Sequence, residues 1–246
     1  MKLTVLGSNS NGNCYLLQAE RQTLIIEAGI KARYVKQALD FNLSQVVGVV
    51  ITHCHSDHAG YARELQQAGI NIYAHRSVFE AKHLTNQPFC HEITPHIKFR
   101  IGEFAVFPFE VMHDVPCMGF VIDHAEMGRL LFVTDTMLLE YVVPRLNHIL
   151  LEANYSDFIL EQNIQSGRVP AAMRERLLQS HIELQTTKSI LAANDLSQVR
   201  EIVLIHLSDN NSDERLFAQE IEAQTGIPTY AAKTGLTINL TNNQPY

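Results

Sequence analysis

Val46–Gly60, VVGVVITHCHSDHAG, is a β-branched run, broken only by Gly48, that ends on three histidines and an aspartate within six positions. The apolar half lacks the in–out alternation of a half-exposed strand, so it reads as a strand covered on both faces. The polar half then falls at the strand's C-terminal end, on the kind of loop where a rigid scaffold carries chemistry. On extended backbone, residues two apart face the same way. His53 and His55 can therefore grip one ion, and a turn into a following helix lets Asp57 and His58 reach a second. Cys54 points away from that pair and reads as a packing residue. Neutral imidazole and carboxylate suit zinc and related divalent ions. The alternative, a solvated loop that is merely rich in histidine, leaves the downstream sequence unexplained.

Outward from this stretch, the chain alternates between two types of block. KLTVL, CYLLQA and TLIIEAG are short β-type runs separated by polar or glycine-bearing turns. IKARYVKQALDF has apolar residues at helical spacing. HAGYARELQQAG reads as one helix ending at Gly69, INIYAH as a strand and RSVFEAKHL as a helix. The middle is again β-rich in KFRIGEFAVFPFEVMH, GFVIDH and GRLLFVTD. After Asp135, TMLLEYVVPRL suggests a helix, HILLEAN a strand, and SDFILEQNIQ, PAAMRERLLQ and ELQTTKSILAAN helices. REIVLIH reads as a strand, SDERLFAQEIEAQTG as a helix and LTINL as a last strand. Two β-rich blocks, each followed by helices, predict two packed sheets with helices on their outer faces, in one domain over residues 1–246.

The 246 residues carry a formal charge of −7, which argues against a broadly basic nucleic-acid binder. It does not exclude a nucleic-acid enzyme, because bound metal ions supply positive charge locally. Cys14, Cys54, Cys90 and Cys117 form no C-x-x-C pair and read as free thiols. No apolar run approaches the roughly 18 residues of a membrane span. The opening MKLTVLGSNSNGNCYLL reads as a strand and loop instead of a signal peptide, so the cytoplasm is the expected compartment.

THCHSDHAG resembles the His-x-His-x-Asp-His signature of the metallo-β-lactamase superfamily, and the likeness extends along most of the chain. The resemblance implies an α/β, four-layer αββα sandwich of two mixed β-sheets flanked by helices, with two divalent metal ions at the sheets' edge. FEVMHD, LFVTDT and IVLIHLSDNN each place a candidate ligand after an apolar run. Carried over residue by residue, His53, His55 and His113 would hold one ion. Asp57, His58 and His206 would hold the other, with Asp135 bridging. Zinc, manganese and iron all accept such ligands. Ions about 3.5–4 Å apart share a water, lower its pKa toward about 7 and neutralise charge on the attacked group. Asp57 would also orient the resulting hydroxide.

HILLEANY and LQSHIELQTT are similar to blocks of the tRNase Z and phosphonate-pathway phosphodiesterase branch. That likeness makes Glu152 the partner of His181, and His181 the general acid that protonates the leaving oxygen. LGSNSNGNCYLL, LIIEAG, His113-Asp114-x-Pro116-x-x-Gly119-Phe120 and LEANY resemble the YycJ/WalJ-like group of small bacterial metallo-hydrolases. This implies a DNA or RNA exonuclease-like activity, with nucleic acid or a small phosphodiester as the substrate. The chain departs from the group at Ser180-His181-Ile182-Glu183, where Gly-His-Leu-Ser is usual, and Glu183 would bring negative charge near a phosphate site. Glu27 stands where the superfamily commonly has Asp and reads as support behind the ligands.

The stretch from Asp135 to His206 is filled by elements that the core needs, leaving no room for a β-CASP domain, and no long tRNA-gripping arm is evident. Two rival readings remain: a hydrolase of small esters, thioesters or cyclic phosphodiesters, and a non-catalytic metal-binding regulatory protein. Asp114 is placed to orient a ligand. Asn9, Asn11 and Asn13 read as turn chemistry. Arg168, Arg174 and Arg176 read as a solvated helix face that could also touch phosphate. His75, His83, His91, His96, His124 and His148 read as surface histidines, with those of HLTNQPFCHEITPHIK able to rim a pocket.

Overall fold

The alternation of side chains along each strand divides the apolar residues among three cores. In the computed structural model, which describes residues 1–241, fourteen strands form two seven-stranded sheets. The first runs, in spatial order, β14 (Thr237–Asn239), β1 (Lys2–Gly7), β2 (Cys14–Gln18), β3 (Thr23–Ile26), β4 (Val46–Ile51), β5 (Ile72–Ala74) and β6 (Cys90–Glu92). The second runs β13 (Thr229–Ala231), β12 (Glu201–Ile205), β11 (His148–Glu152), β10 (Gly128–Val133), β9 (Cys117–His124), β8 (Phe104–Val111) and β7 (Phe99–Ile101). Tyr15, Leu17, Leu24, Ile26 and Val50 of the first sheet meet Phe104, Phe120, Phe132, Leu150 and Val203 of the second in a central core. The residues between them in sequence face outward, as a two-residue period requires.

Those outward rows are covered by helices. Leu16, Ile25, Val49 and Ile51 pack under α1 (Ala32–Ala38), α2 (Ser56–Ala59), α3 (Ala62–Gln67) and α4 (Arg76–Ala81), through Val35, Ala59, Leu65 and Phe79. Ile149, Leu151, Ile202 and Leu204 pack under α7 (Leu184–Ala193) and α8 (Glu214–Thr225), through Ile190, Leu191, Phe217 and Ile221. Between them in the chain, α5 (Asp157–Gln165) and α6 (Met173–Ser180) enclose Tyr155, Leu160 and Leu177 in a small satellite core. The result is the four-layer αββα sandwich. No helix among the described residues is long and apolar enough to cross a membrane.

Strand direction positions the site. β3 to β6 are mutually parallel, as are β10 to β13, so both runs end on one edge of the sandwich. Ligands of parallel α/β sheets gather beyond such carboxyl ends.

Two sequence expectations fail here for identifiable reasons. The predicted helix over Thr136–Leu146 is an extended strap. The Thr136 hydroxyl donates to the Leu138 carbonyl, the Met137 amide donates to Met112 O, and the Val143 amide donates to Asn194 Oδ1. The last of these uses an amide a helix would need, and Pro144 cannot continue one. The predicted helix HAGYARELQQAG is split into α2 and α3. The Tyr61 amide, which would bond Asp57 O in a continuous helix, donates to Ala28 O, while Asp57 O accepts from the Asn13 amide at 2.7 Å. β6 and β13 were not anticipated; each has three residues and exists through pairing with a longer neighbourhood of strands.

Candidate metal centre

The strip after β4 does fan its side chains in two directions, and the opposite sheet supplies the remaining partners. His53 Nε2 lies 3.0 Å from His55 Nδ1, and His113 Nε2, beyond the end of β8, lies 3.3 Å from the same atom. Asp57 Oδ2 lies 3.2 Å from His58 Nε2 and 3.1 Å from His206 Nε2. Asp135 joins the two groups: its Oδ2 is 2.8 Å from His58 Nε2 and 3.3 Å from His53 Nε2. Within each of the sets His53–His55–His113 and Asp57–His58–Asp135–His206, ligand atoms all lie within 4.8 Å of one another. Ring nitrogens that face each other at 3.0 Å cannot both carry a proton, and a crowd of imidazole lone pairs and carboxylate oxygens is the donor set a divalent ion takes. All seven residues expected as ligands are thus brought together.

A third set, Asp135–Glu152–His181–His206, closes the centre on the side of the second sheet. Glu152, fully buried at the end of β11, accepts from His181 Nδ1 at 2.7 Å and from the Ile182 amide at 3.2 Å. His181 follows α6 in an extended conformation, which carries its ring back over the strand end.

The sequence reading missed most of the support behind these groups. The Thr52 hydroxyl donates to Glu27 Oε1 at 2.6 Å and lies 2.9 Å from His53 Nδ1, so it accepts that ring's N–H. Glu27 Oε1 also lies 3.3 Å from His58 Nδ1. One buried carboxylate therefore orients the outward nitrogen of His53 through Thr52 and stands as a charge beside that of His58 without hydrogen-bond geometry. Asn154 Nδ2 donates to the His206 carbonyl at 2.7 Å and lies 3.0 Å from His206 Nδ1. Asn13 goes beyond turn chemistry, since its Nδ2 lies 3.1 Å from His58 Nε2. A polar residue closing an otherwise apolar strand, as Thr52 does, was the available signal.

Other expected residues settle differently. Asp114 Oδ1 reaches His113 Nε2 at 3.0 Å and His55 Nε2 at 3.4 Å. Glu183 caps two helices, accepting from the Gln185 amide at the start of α7 and the Asp157 amide at the start of α5. Its charge is thereby held by backbone donors. Arg174 pairs with Glu161 on the surface. His75 lines the groove beside His113, whereas His83, His91 and His96 do not. His124 and His148 are buried, contrary to the surface reading; His148 Nδ1 lies 3.1 Å from Glu201 at the end of the sheet remote from the site.

Residues 7–152 match the profile of the Metallo-beta-lactamase superfamily. The chain belongs to that superfamily. It is 29% identical over 233 residues to the protein of Bacillus anthracis named Exodeoxyribonuclease YycJ, covering 87% of this chain and 85% of that one. It is 24% identical over 234 residues to Exodeoxyribonuclease WalJ of Streptococcus pneumoniae serotype 2 (strain D39 / NCTC 7466), covering 87% and 84%. Among solved structures, the metallo-β-lactamase fold protein YhfI from Bacillus subtilis superposes with a TM-score of 0.75 at 17% identity, covering 97% of this chain and 99% of that one, which shows the shared fold.

The electrostatics of this metallo-β-lactamase centre follow from burying charges together. Burial disfavours the charged imidazolium of His181, but Glu152 and Asp135 outweigh it and push the group up to about 10. Burial likewise opposes charge on His206, and Asp135 and Asp57 raise it to about 9. Burial pushes the Asp57 carboxyl up, yet the His206 and His58 contacts hold it well below the usual range. His53 is held low by burial and by the neighbouring His58. His58, His181 and His206 are thus all pushed toward the protonated form by the carboxylates around them, and of the three only His181 lies outside the expected ligand set.

Proposed function

We propose that this protein is a binuclear metal-dependent phosphodiesterase that trims DNA or RNA from an end, its site carried by one domain over residues 1–246. The observation that carries the reading is the Asp135 carboxylate touching both histidine groups, with the Glu152–His181 pair set against the same carboxylate: His181 Nδ1 is 3.4 Å from Asp135 Oδ1. His53, His55 and His113 would hold one ion, Asp57, His58 and His206 the other, and Asp135 would bridge; zinc, manganese and iron fit the donors. When bound, such ions supply an activated water and neutralise charge on a phosphate.

The chain's own residues do the rest. Glu152 holds Nδ1–H of His181, which leaves Nε2–H to be delivered to the leaving oxygen. Glu27, through Thr52, keeps the ring of His53 turned inward and sets its charge beside that of His58. Asp57, between His58 and His206, would orient the attacking water. The names of the relatives, both exodeoxyribonucleases, support nucleic acid as the substrate.

The test is a cleavage assay on end-labelled single- and double-stranded DNA and RNA with manganese or zinc. Chelator-sensitive shortening from one end, strongly reduced in His181→Ala, is expected. Polymers that stay intact under every metal, with small esters cleaved, would overturn the nucleic-acid assignment.

A further inference from the structure

A groove of about 680 Å³ leads away from the centre at His113 and Asp114, between the end of β8 and the strap after Asp135. Its composition is unusual for a path that follows a polyanion. Glu110, Asp114 and Glu140 line it, and neither lysine nor arginine is among its lining residues. A phosphate backbone is tracked by cationic grooves, so backbone phosphates have no partner here. The remaining surface is polarisable and apolar. Met112, Met137, Leu138 and Tyr141 stand 49%, 39%, 43% and 40% exposed, all on this groove. Clustered exposed apolar groups beside a polar site mark a ligand surface.

The surface is also held in place. The Met137 amide donates to Met112 O and the Met112 amide donates to Thr136 Oγ1, both at 3.1 Å, so the two methionines are tied together through the backbone. The Tyr141 ring is edge-on to Phe109 at 5.1 Å and tilted against His96 at 6.2 Å. The occupant such a groove fits is planar, uncharged and fringed with N–H donors. Thioethers and a phenol ring pack against its faces, and the carboxylates accept from its edge. A volume inside the roughly 300–1,000 Å³ of small-molecule clefts takes a nucleoside, not a duplex.

We propose that this groove seats an unpaired nucleobase next to the scissile phosphate, with Tyr141 and Met137 as specificity-determining residues. The inference rests on the phosphodiesterase reading above. It makes the substrate a frayed or single-stranded end, with the phosphate at the centre and the base in the acidic groove.

Two esters of p-nitrophenol separate the two readings in the metal-loaded protein. Thymidine 5′-(p-nitrophenyl phosphate) carries a base; bis(p-nitrophenyl) phosphate does not. Base stacking on one side chain changes affinity by about 5- to 150-fold. Tyr141→Ala and Met137→Ala are each expected to raise KM for the thymidine ester at least 5-fold, with kcat unchanged, and to leave the base-free ester unaffected. Equal effects on both esters, or none on either, overturn the groove assignment while leaving the phosphodiesterase reading intact. If neither ester is cleaved, the phosphodiesterase reading falls, and binding decides the groove. In protein labelled with ¹³C-methyl methionine, thymidine 5′-monophosphate should shift the Met112 and Met137 signals and deoxyribose 5-phosphate should not. Identical responses to both ligands refute it.

Discussion

Replacing Thr52 by valine removes one hydroxyl and keeps the shape of the side chain. Thr52 is fully buried, and that hydroxyl bonds Glu27 Oε1 at 2.6 Å and His53 Nδ1 at 2.9 Å. A hydrogen bond to a charged group contributes about 1.5–3 kcal/mol and a neutral one about 0.5–1.5 kcal/mol. Glu27 keeps two further contacts, the Thr52 amide at 3.3 Å and His58 Nδ1 at 3.3 Å, so the lower end applies to it. The expected loss in stability is about 2–3 kcal/mol, or about 4–12 °C in Tm for a chain of this size. The more telling effect is on metal. Without the hydroxyl, His53 Nδ1 keeps only the weaker contact to Cys117 Sγ at 3.6 Å, so the Nδ1–H tautomer is held less firmly and its Nε2 is less committed to the site. Losing such an outer partner costs about 10- to 100-fold in metal affinity. Calorimetry of the metal-free protein and a zinc titration in competition with a chromophoric chelator measure the two effects separately, with Thr52→Ser expected to restore both. A valine variant that loses Tm but binds zinc within twofold of the parent would refute the tautomer argument and make Thr52 a purely structural link.

Three other outcomes are expected. His181→Ala should lower kcat about 10²- to 10⁴-fold on DNA, and far less on a p-nitrophenyl ester, whose leaving group needs no proton; equal losses on both substrates would rule out proton delivery. Zinc or manganese at about 100 times its Kd should stabilise the protein by about 2.7 kcal/mol, raising Tm by about 5–11 °C, and His58→Ala should abolish most of that rise; a Tm insensitive to metal would exclude the centre. Asp123 accepts from Arg129 Nε at 2.8 Å and Lys98 Nζ at 3.0 Å, which outweigh burial and hold its carboxyl below the ordinary range. Its stabilisation is therefore present above the unfolded pKa of about 3.9 and lost as pH falls through the lower folded value. Asp123→Asn should cost at most about 1 kcal/mol at pH 7, and its Tm gap from the parent should close below pH about 3.9; a gap constant down to pH 3 would contradict the ion-pair account.

What could be read in the sequence was whatever is local or repeated. The His53–His58 strip after β4 is contiguous, so a two-residue period and one turn are enough to divide it between two clusters of candidate ligands. His113, Asp135, Glu152 and His206 each follow an apolar run, and a strand end is recognisable without knowing its neighbours. The strap at Thr136–Leu146 was misread because helical spacing is a local property, while the bonds that override it come from Met112 and Asn194, distant in sequence. The double cap made by Glu183 was not legible for a related reason: the second helix start that it holds, at Asp157, lies 26 residues away.

The least legible feature is the backbone at the strand ends. Glu27 after β3, Asp135 after β10 and His206 after β12 have φ of 68°, 48° and 53°, a left-handed conformation that residues with a Cβ adopt uncommonly. Sequence reading looks for glycine or asparagine at such positions, and none of the three is either. A continued strand would send each side chain alternately to one core or the other. The reversal in φ instead ends the pleat and turns a carboxylate or imidazole onto the shared edge. That conformation costs of order 1–3 kcal/mol at each position and persists where surrounding contacts over-determine it. Here the contacts are specific: Thr52 and His58 on Glu27, His58 on Asp135, and Ser8 and Asn154 on His206. The same bonds that orient the proposed ligands therefore hold the strained backbone in place, which is why the support residues and the site residues form one network.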